Sequence, residues 1–146
     1  MRIAPFLLMF FVTLAAVGKL RAEEDDMTVA ARQSVLELAG AFSANDGYKL
    51  RDGHFNAALK PGESRIVAVN LYSGNSYWFC AASSSPASKL DVVVFDEDGK
   101  PVPLQTYASP GRAAAGYTPS NSGLFYVRIA LPSGDPGAVC LLYTYK

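Results

Sequence analysis

The chain has 146 residues, 13 Lys+Arg against 13 Asp+Glu, one histidine, and half of its residues hydrophobic. That length suits one domain and excludes large two-domain enzyme architectures; the apolar content argues against a disordered tail. The neutral total and scattered basic residues speak against a nucleic-acid partner, and two cysteines are too few for a disulfide-dense miniprotein or a thiolate zinc site.

Residues 1–22 have the layout of a secretory signal peptide. Arg2 supplies a positive start, Ile3 to Gly18 form an almost unbroken apolar run, and Lys19-Leu20-Arg21-Ala22 leads into acidic Glu23-Glu24-Asp25-Asp26. The run is shorter than the roughly 20 residues that cross a bilayer, so cleavage after Ala22 (or after Gly18) is expected, with an uncleaved anchor helix as the alternative. Cleavage after Ala22 removes Arg2, Lys19 and Arg21 and leaves three more acidic than basic residues. The expected location is then the periplasm or the extracellular space, with no membrane span in the mature protein. In such an oxidising compartment a Cys80–Cys140 disulfide is the expected use of two cysteines in strand-like runs; two buried free thiols are the alternative.

Residues 23–47 read as an acidic segment followed by an amphipathic helix over 27–44. Thr28, Ala31, Val35, Leu38, Ala39 and Phe42 fall on one face, opposite Arg32, Gln33 and Glu37. Asn45-Asp46-Gly47 is a stop signal. Residues 48–146 switch to alternation. Strand-like runs cover Phe55–Leu59, Val67–Leu71, Tyr77–Ala82, Leu90–Phe95, Val102–Tyr107, Arg112–Tyr117, Phe125–Leu131 and a last run reaching Tyr145. Turn chemistry separates them, notably Pro61-Gly62, Ser73-Gly74-Asn75 and Asp96-Glu97-Asp98-Gly99. About eight short strands punctuated in this way predict an all-β sandwich or barrel. Tyr77–Ala82 is apolar on both faces and is expected to be central. Ser83–Ser88 reads as a surface excursion.

The order of these segments resembles a known family. Leu59-Lys60-Pro61-Gly62-Glu63, Val67-Ala68-Val69-Asn70-Leu71, Gly74-Asn75-Ser76-Tyr77-Trp78-Phe79, Leu90 to Gly99 and Pro119 to Arg128 together are similar to the bacterial pre-peptidase C-terminal domain and its stand-alone relatives, over roughly residues 54–146. The resemblance implies a jelly-roll-like β-sandwich and an exported, non-catalytic module associated with secretion, substrate adhesion or calcium-dependent folding. No peptidase domain precedes the module in this sequence; a helical segment takes that place.

Candidate chemistry is sparse. Nucleophilic catalysis needs a nucleophile, a base and an orienting group, and His54 is the one imidazole. No Gly-x-Ser-x-Gly, P-loop or dinucleotide fingerprint occurs. A small hydrolase would have to centre on His54 or Asp91/Asp96. Asp91, Asp96 and Asp98 are candidate calcium ligands, which the family resemblance favours, although a hairpin turn accounts for Asp98-Gly99 by itself. No other cofactor is expected. Trp78, Tyr143 and Tyr145 are the candidate ligand-binding rings, with Tyr143 and Tyr145 expected to be an exposed pair and core packing as the alternative. Non-catalytic binding is therefore the expected function, the partner being carbohydrate, cell-envelope material or an exported protein. A structural or secretion-accessory role beside an exported enzyme is the other expectation.

Overall fold

The computed structural model describes residues 6–146, with side chains described from Gly18 onward except at Leu20 and Glu24. The start of the expected signal peptide, including Arg2, lies outside the described residues. Helix α1 (Phe6–Asp46) is followed by β1 (Lys49–Leu50), β2 (Phe55–Leu59), β3 (Glu63–Leu71), β4 (Tyr77–Ser83), β5 (Lys89–Phe95), β6 (Gln105–Ser109), β7 (Arg112–Tyr117), β8 (Gly123–Ser133) and β9 (Gly137–Tyr145).

The strands form two antiparallel sheets. Sheet A runs β1-β9-β4-β7-β6, with β2 also pairing β9; sheet B runs β3-β8-β5. Across sheet A the order β2, β9, β4 mirrors the order β3, β8, β5 across sheet B. The connections from β2 through β6 and from β7 through β9 therefore step from one sheet to the other, which is the wrapping of a jelly roll. The sixth strand folds back as a hairpin on β7, Gln105 opposite Gly116 and Ser109 opposite Arg112, instead of extending sheet B.

Strand alternation places two apolar layers on sheet A. Its inner face meets sheet B through Leu59, Phe79, Ala81, Ala113, Ala115, Val139 and Leu141, packed on Val69, Leu71, Val92, Val94, Val127, Ile129 and Leu131. Its outer face carries Cys80, Ala82, Ala114, Ala138, Cys140 and Leu142, covered by Ala31, Val35, Leu38 and Ala39 of α1 with Phe42 at the margin. This is why Tyr77–Ala82 is apolar on both sides: β4 is central in a sheet covered on both faces.

The docked face of α1 is the one the sequence predicts, but the helix is longer than the expected 27–44. It runs unbroken for 41 residues, about 60 Å, through the expected cleavage point. It ends at Gly47, whose φ of +73° is the left-handed cap that other residues adopt at a cost; its N–H donates to the Ser43 carbonyl at 3.2 Å. Arg112 of β7 fastens the helix, Nε donating to Ser34 Oγ at 2.8 Å and Nη2 to Glu37 Oε2 at 2.7 Å.

The serine-rich segment is more built than a surface excursion. Ser83 Oγ donates to Ser88 Oγ at 2.9 Å, Ser88 Oγ to the Asp135 carbonyl at 2.7 Å, and Ser84 Oγ accepts from the Ala138 N–H at 3.1 Å. Ser83 and Ser88 are buried, and these bonds supply the partners that buried hydroxyls need. The segment stitches the β4–β5 connection to the β8–β9 turn.

Candidate functional site

A cleft opens where the edges of the two sheets approach each other. On sheet A, β1 and β2 are one edge strand with a break. Lys49 and Leu50 pair with Tyr145 and Thr144, and the Arg51 N–H donates to the Tyr143 carbonyl at 3.0 Å. Asp52, Gly53 and His54 then leave the ladder, and pairing resumes at Phe55 opposite Leu141. The excursion forms one wall of a cleft of about 490 Å³, and residues Val67 to Asn70 of β3 with Tyr72 form the other.

Three rings line this cleft, Phe55, Tyr72 and Tyr143, beside the polar groups of Arg51, Asp52, His54 and Asn70. Tyr72 is 59% exposed. Its position is set by the β3–β4 turn, where Tyr77 Oη accepts from the Tyr72 N–H at 2.9 Å and from Asn75 Nδ2 at 3.2 Å. Burial holds the Tyr143 hydroxyl above the usual phenol range, the Arg51 guanidinium draws it back, and Tyr77 and Tyr72 push it up. These four groups therefore share one electrostatic neighbourhood.

The three rings expected to bind ligand do not form one platform. Tyr143 and Tyr145 lie opposite Phe79 and Tyr77 in the ladder and are half-buried against the inter-sheet core, not an exposed pair. Tyr143 contacts Phe79 at 5.4 Å and Tyr77 at 6.1 Å between ring centroids. Only Tyr143 reaches the cleft. Trp78 points the other way, stacked on Phe42 at 4.4 Å and 17°. Gly116 opposite it is a close-approach glycine, since a Cβ there would stand 2.9 Å from the indole. Period-two alternation fixes the separation: Trp78 is out of phase with Tyr77 and Phe79.

The aspartates are likewise dispersed. Asp91 lies on the outer face of sheet B, 3.8 Å from Arg128 Nη2, and the Arg128 guanidinium stands 5.3 Å over the Phe95 ring. Asp96, five residues along the strand and about 16 Å away, belongs to the β5–β6 turn. Its Oδ1 accepts from the Asp98 and Lys100 N–H groups at 3.0 and 2.9 Å. Asp98 is exposed at the tip. The structure thus brings Asp96 and Asp98 together as a turn and leaves Asp91 out, and no metal-holding group of His, Cys, Asp and Glu occurs among the described residues.

Cys80 and Cys140 are free thiols, which corrects the expected disulfide. Cys80 lies opposite Leu142, and Cys140 opposite Ala82, so the two are diagonal. Diagonal partners stand about 7–8 Å apart, beyond the usual Cα separation of a disulfide. Burial under α1 pushes the Cys80 thiol up to about 12 and the Cys140 thiol up to about 11, Arg32 opposing the latter. Both are protonated and poorly nucleophilic at neutral pH. His54 is exposed beside the inter-sheet cleft, on the far side of sheet A from the thiols. It has neither Asp91 nor Asp96 beside it in that cleft.

Arg51, Asp52, Phe55, Asn70 and Tyr72 are the polar and aromatic cleft residues that the sequence did not single out as site candidates. One signal was present: Gly53 and the charged pair before it form a turn-like break just ahead of the alternation that starts at Phe55.

No family model and no curated protein matches the chain. Among solved structures it is similar to one described as "CBM4 structure and function", at 14% identity and a TM-score of 0.42, over 70% of this chain and 81% of that one.

Proposed function

We propose that this protein is an exported, non-catalytic binding module, a stand-alone relative of the pre-peptidase C-terminal domains it resembles, and that it holds cell-envelope polysaccharide. The observation carrying this reading is the cleft between the Arg51–Phe55 excursion and β3. Its volume of about 490 Å³ suits a short saccharide segment, and preformed concave sites are where such ligands are held. Phe55, Tyr72 and Tyr143 offer ring faces to the C–H faces of a sugar. Arg51, Asp52, His54 and Asn70 offer the donors and acceptors that hydroxyl groups need.

Export is supported by how α1 is used. Among its described side chains, burial begins at Thr28, and the fully buried contacts begin at Ala31. Cleavage after Ala22 therefore removes none of the packing described between helix and sheet.

The reading is tested by presenting purified protein to an array of cell-envelope and plant polysaccharides, then measuring the ligands by calorimetry. Tyr72→Ala is expected to weaken binding about tenfold, the loss of one stacked ring, with the melting temperature unchanged because Tyr72 is exposed. Failure to bind any glycan overturns the proposal.

A further inference from the structure

Resting on the saccharide reading of the cleft, we infer that the site selects acidic sugars, and that Arg51 receives their carboxylate. Among the domain's other arginines, Arg65 donates to the Ser64 carbonyl at 2.9 Å, Arg32 lies on the exposed face of α1, and two are held in ion pairs. Arg112 is paired with Glu37 at 2.7 Å and Arg128 with Asp91 at 3.8 Å. Arg51 has no ion pair among the described residues, although it lines the cleft beside Asp52 and His54. Its backbone is anchored to β9 by the 3.0 Å bond to the Tyr143 carbonyl, so the base of the side chain is fixed at the wall. Arg51 and Tyr143 line the same cleft, and the arginine's charge is felt by the Tyr143 hydroxyl.

An arginine fork held next to a hydroxyl donor matches a carboxylate in two parallel hydrogen bonds, a geometry that a neutral sugar hydroxyl cannot reproduce. Asp52, the other charged group of the excursion, does not neutralise the guanidinium within ion-pair distance. It is instead available to accept from neighbouring sugar hydroxyls. Tyr72 and Asn70 on the opposite wall complete a site with one ionic contact, one stacking face and several neutral hydrogen bonds. This predicts uronic-acid-containing polysaccharide as the ligand class.

The test uses linear oligosaccharides of galacturonic, glucuronic and mannuronic acid, each beside its carboxyl-reduced, uncharged counterpart. Binding to the full chain is measured by calorimetry at two salt concentrations. The expected result is that one acidic series binds about tenfold or more tightly than its reduced partner, as a charge-assisted fork supplies, and weakens with salt. Arg51→Gln abolishes that preference, so that the acidic series falls to the affinity of its reduced partner in the same variant, and Arg51→Lys restores part of it. Arg51 is exposed, so a melting curve shows that the variant remains folded. Equal affinity for acidic and reduced sugars overturns the inference and leaves the saccharide reading standing. Absence of binding to both, when the array also shows none, overturns the two together. A preference for acid that survives Arg51→Gln overturns the assignment of Arg51.

Discussion

The two faces of sheet A are packed by different rules. The inner face meets sheet B through bulky side chains, with Phe79, Leu59, Leu71, Ile129 and Leu131 among the largest that are fully buried. Sheets packed face to face stand about 10 Å apart, and these large side chains fill most of that gap beside Ala81, Ala113 and Ala115. The outer face carries mostly small side chains, Ala82, Ala114, Ala138, Cys80 and Cys140 beside Leu142, against Ala31, Val35, Leu38 and Ala39 of α1. The lesson is that one sheet separates two roles by side-chain size. A deep core holds the sandwich, and a thin seam holds a helix that arrives from a different part of the chain.

The comparison is broken most severely from the inner side. Phe79→Ala empties the centre of the inter-sheet core and is expected to cost about 3–5 kcal/mol, read as a lower denaturant midpoint. A cost similar to that of truncating a residue in the helix seam would mean that the two layers do not differ. A smaller effect is expected from filling the seam. Ala114→Leu inserts a branched side chain where the helix lies close, at an expected cost of about 1–3 kcal/mol. Trp78, the single tryptophan, stacks on Phe42 of α1, so its emission should shift to the red as the helix lifts while strand circular dichroism is retained.

The finest probe is alkaline pH. The folded Cys80 thiol is raised from 9.0 to about 12 by burial. A protonated thiol is thus favoured in the folded state. Its stabilising effect is complete below pH 9 and is lost as pH rises from 9 toward 12. Each such group changes stability by at most about 1.4 kcal/mol per pH unit in that window. Cys80→Ala should therefore show a shallower decline in stability between pH 9 and 11 than the wild type, measured by urea unfolding at each pH. Parallel slopes would show the seam to be open to solvent.

Several elements were legible in the sequence because one local rule dominates them. Phe125, Val127, Ile129 and Leu131 alternate cleanly, and β8 buries those four. Ala31, Val35, Leu38 and Ala39 repeat at helical spacing, and they are the residues α1 buries. The expected strand at Val102–Tyr107 starts later, at Gln105, because Pro101 and Pro103 cannot donate to a ladder. β1 was not legible at all, since two exposed residues, Lys49 and Leu50, carry no period.

Sequence alone therefore determined the class of fold, the docked stripe of the helix, the turns and the need for β4 to be covered on both faces. These follow from periodicity and turn chemistry, which act over a few residues. Only the tertiary structure decided which residues meet. Jelly-roll wrapping laid β9 beside β4, which set Cys80 and Cys140 on a diagonal and put Tyr143 against Phe79 in the core. The same wrapping brought Arg51, Asn70 and Tyr72 to one cleft from two different sheets. Such pairings are set by strand register between segments far apart in the chain. One step of register inverts a face and two steps separate a pair, and neither is written in local alternation.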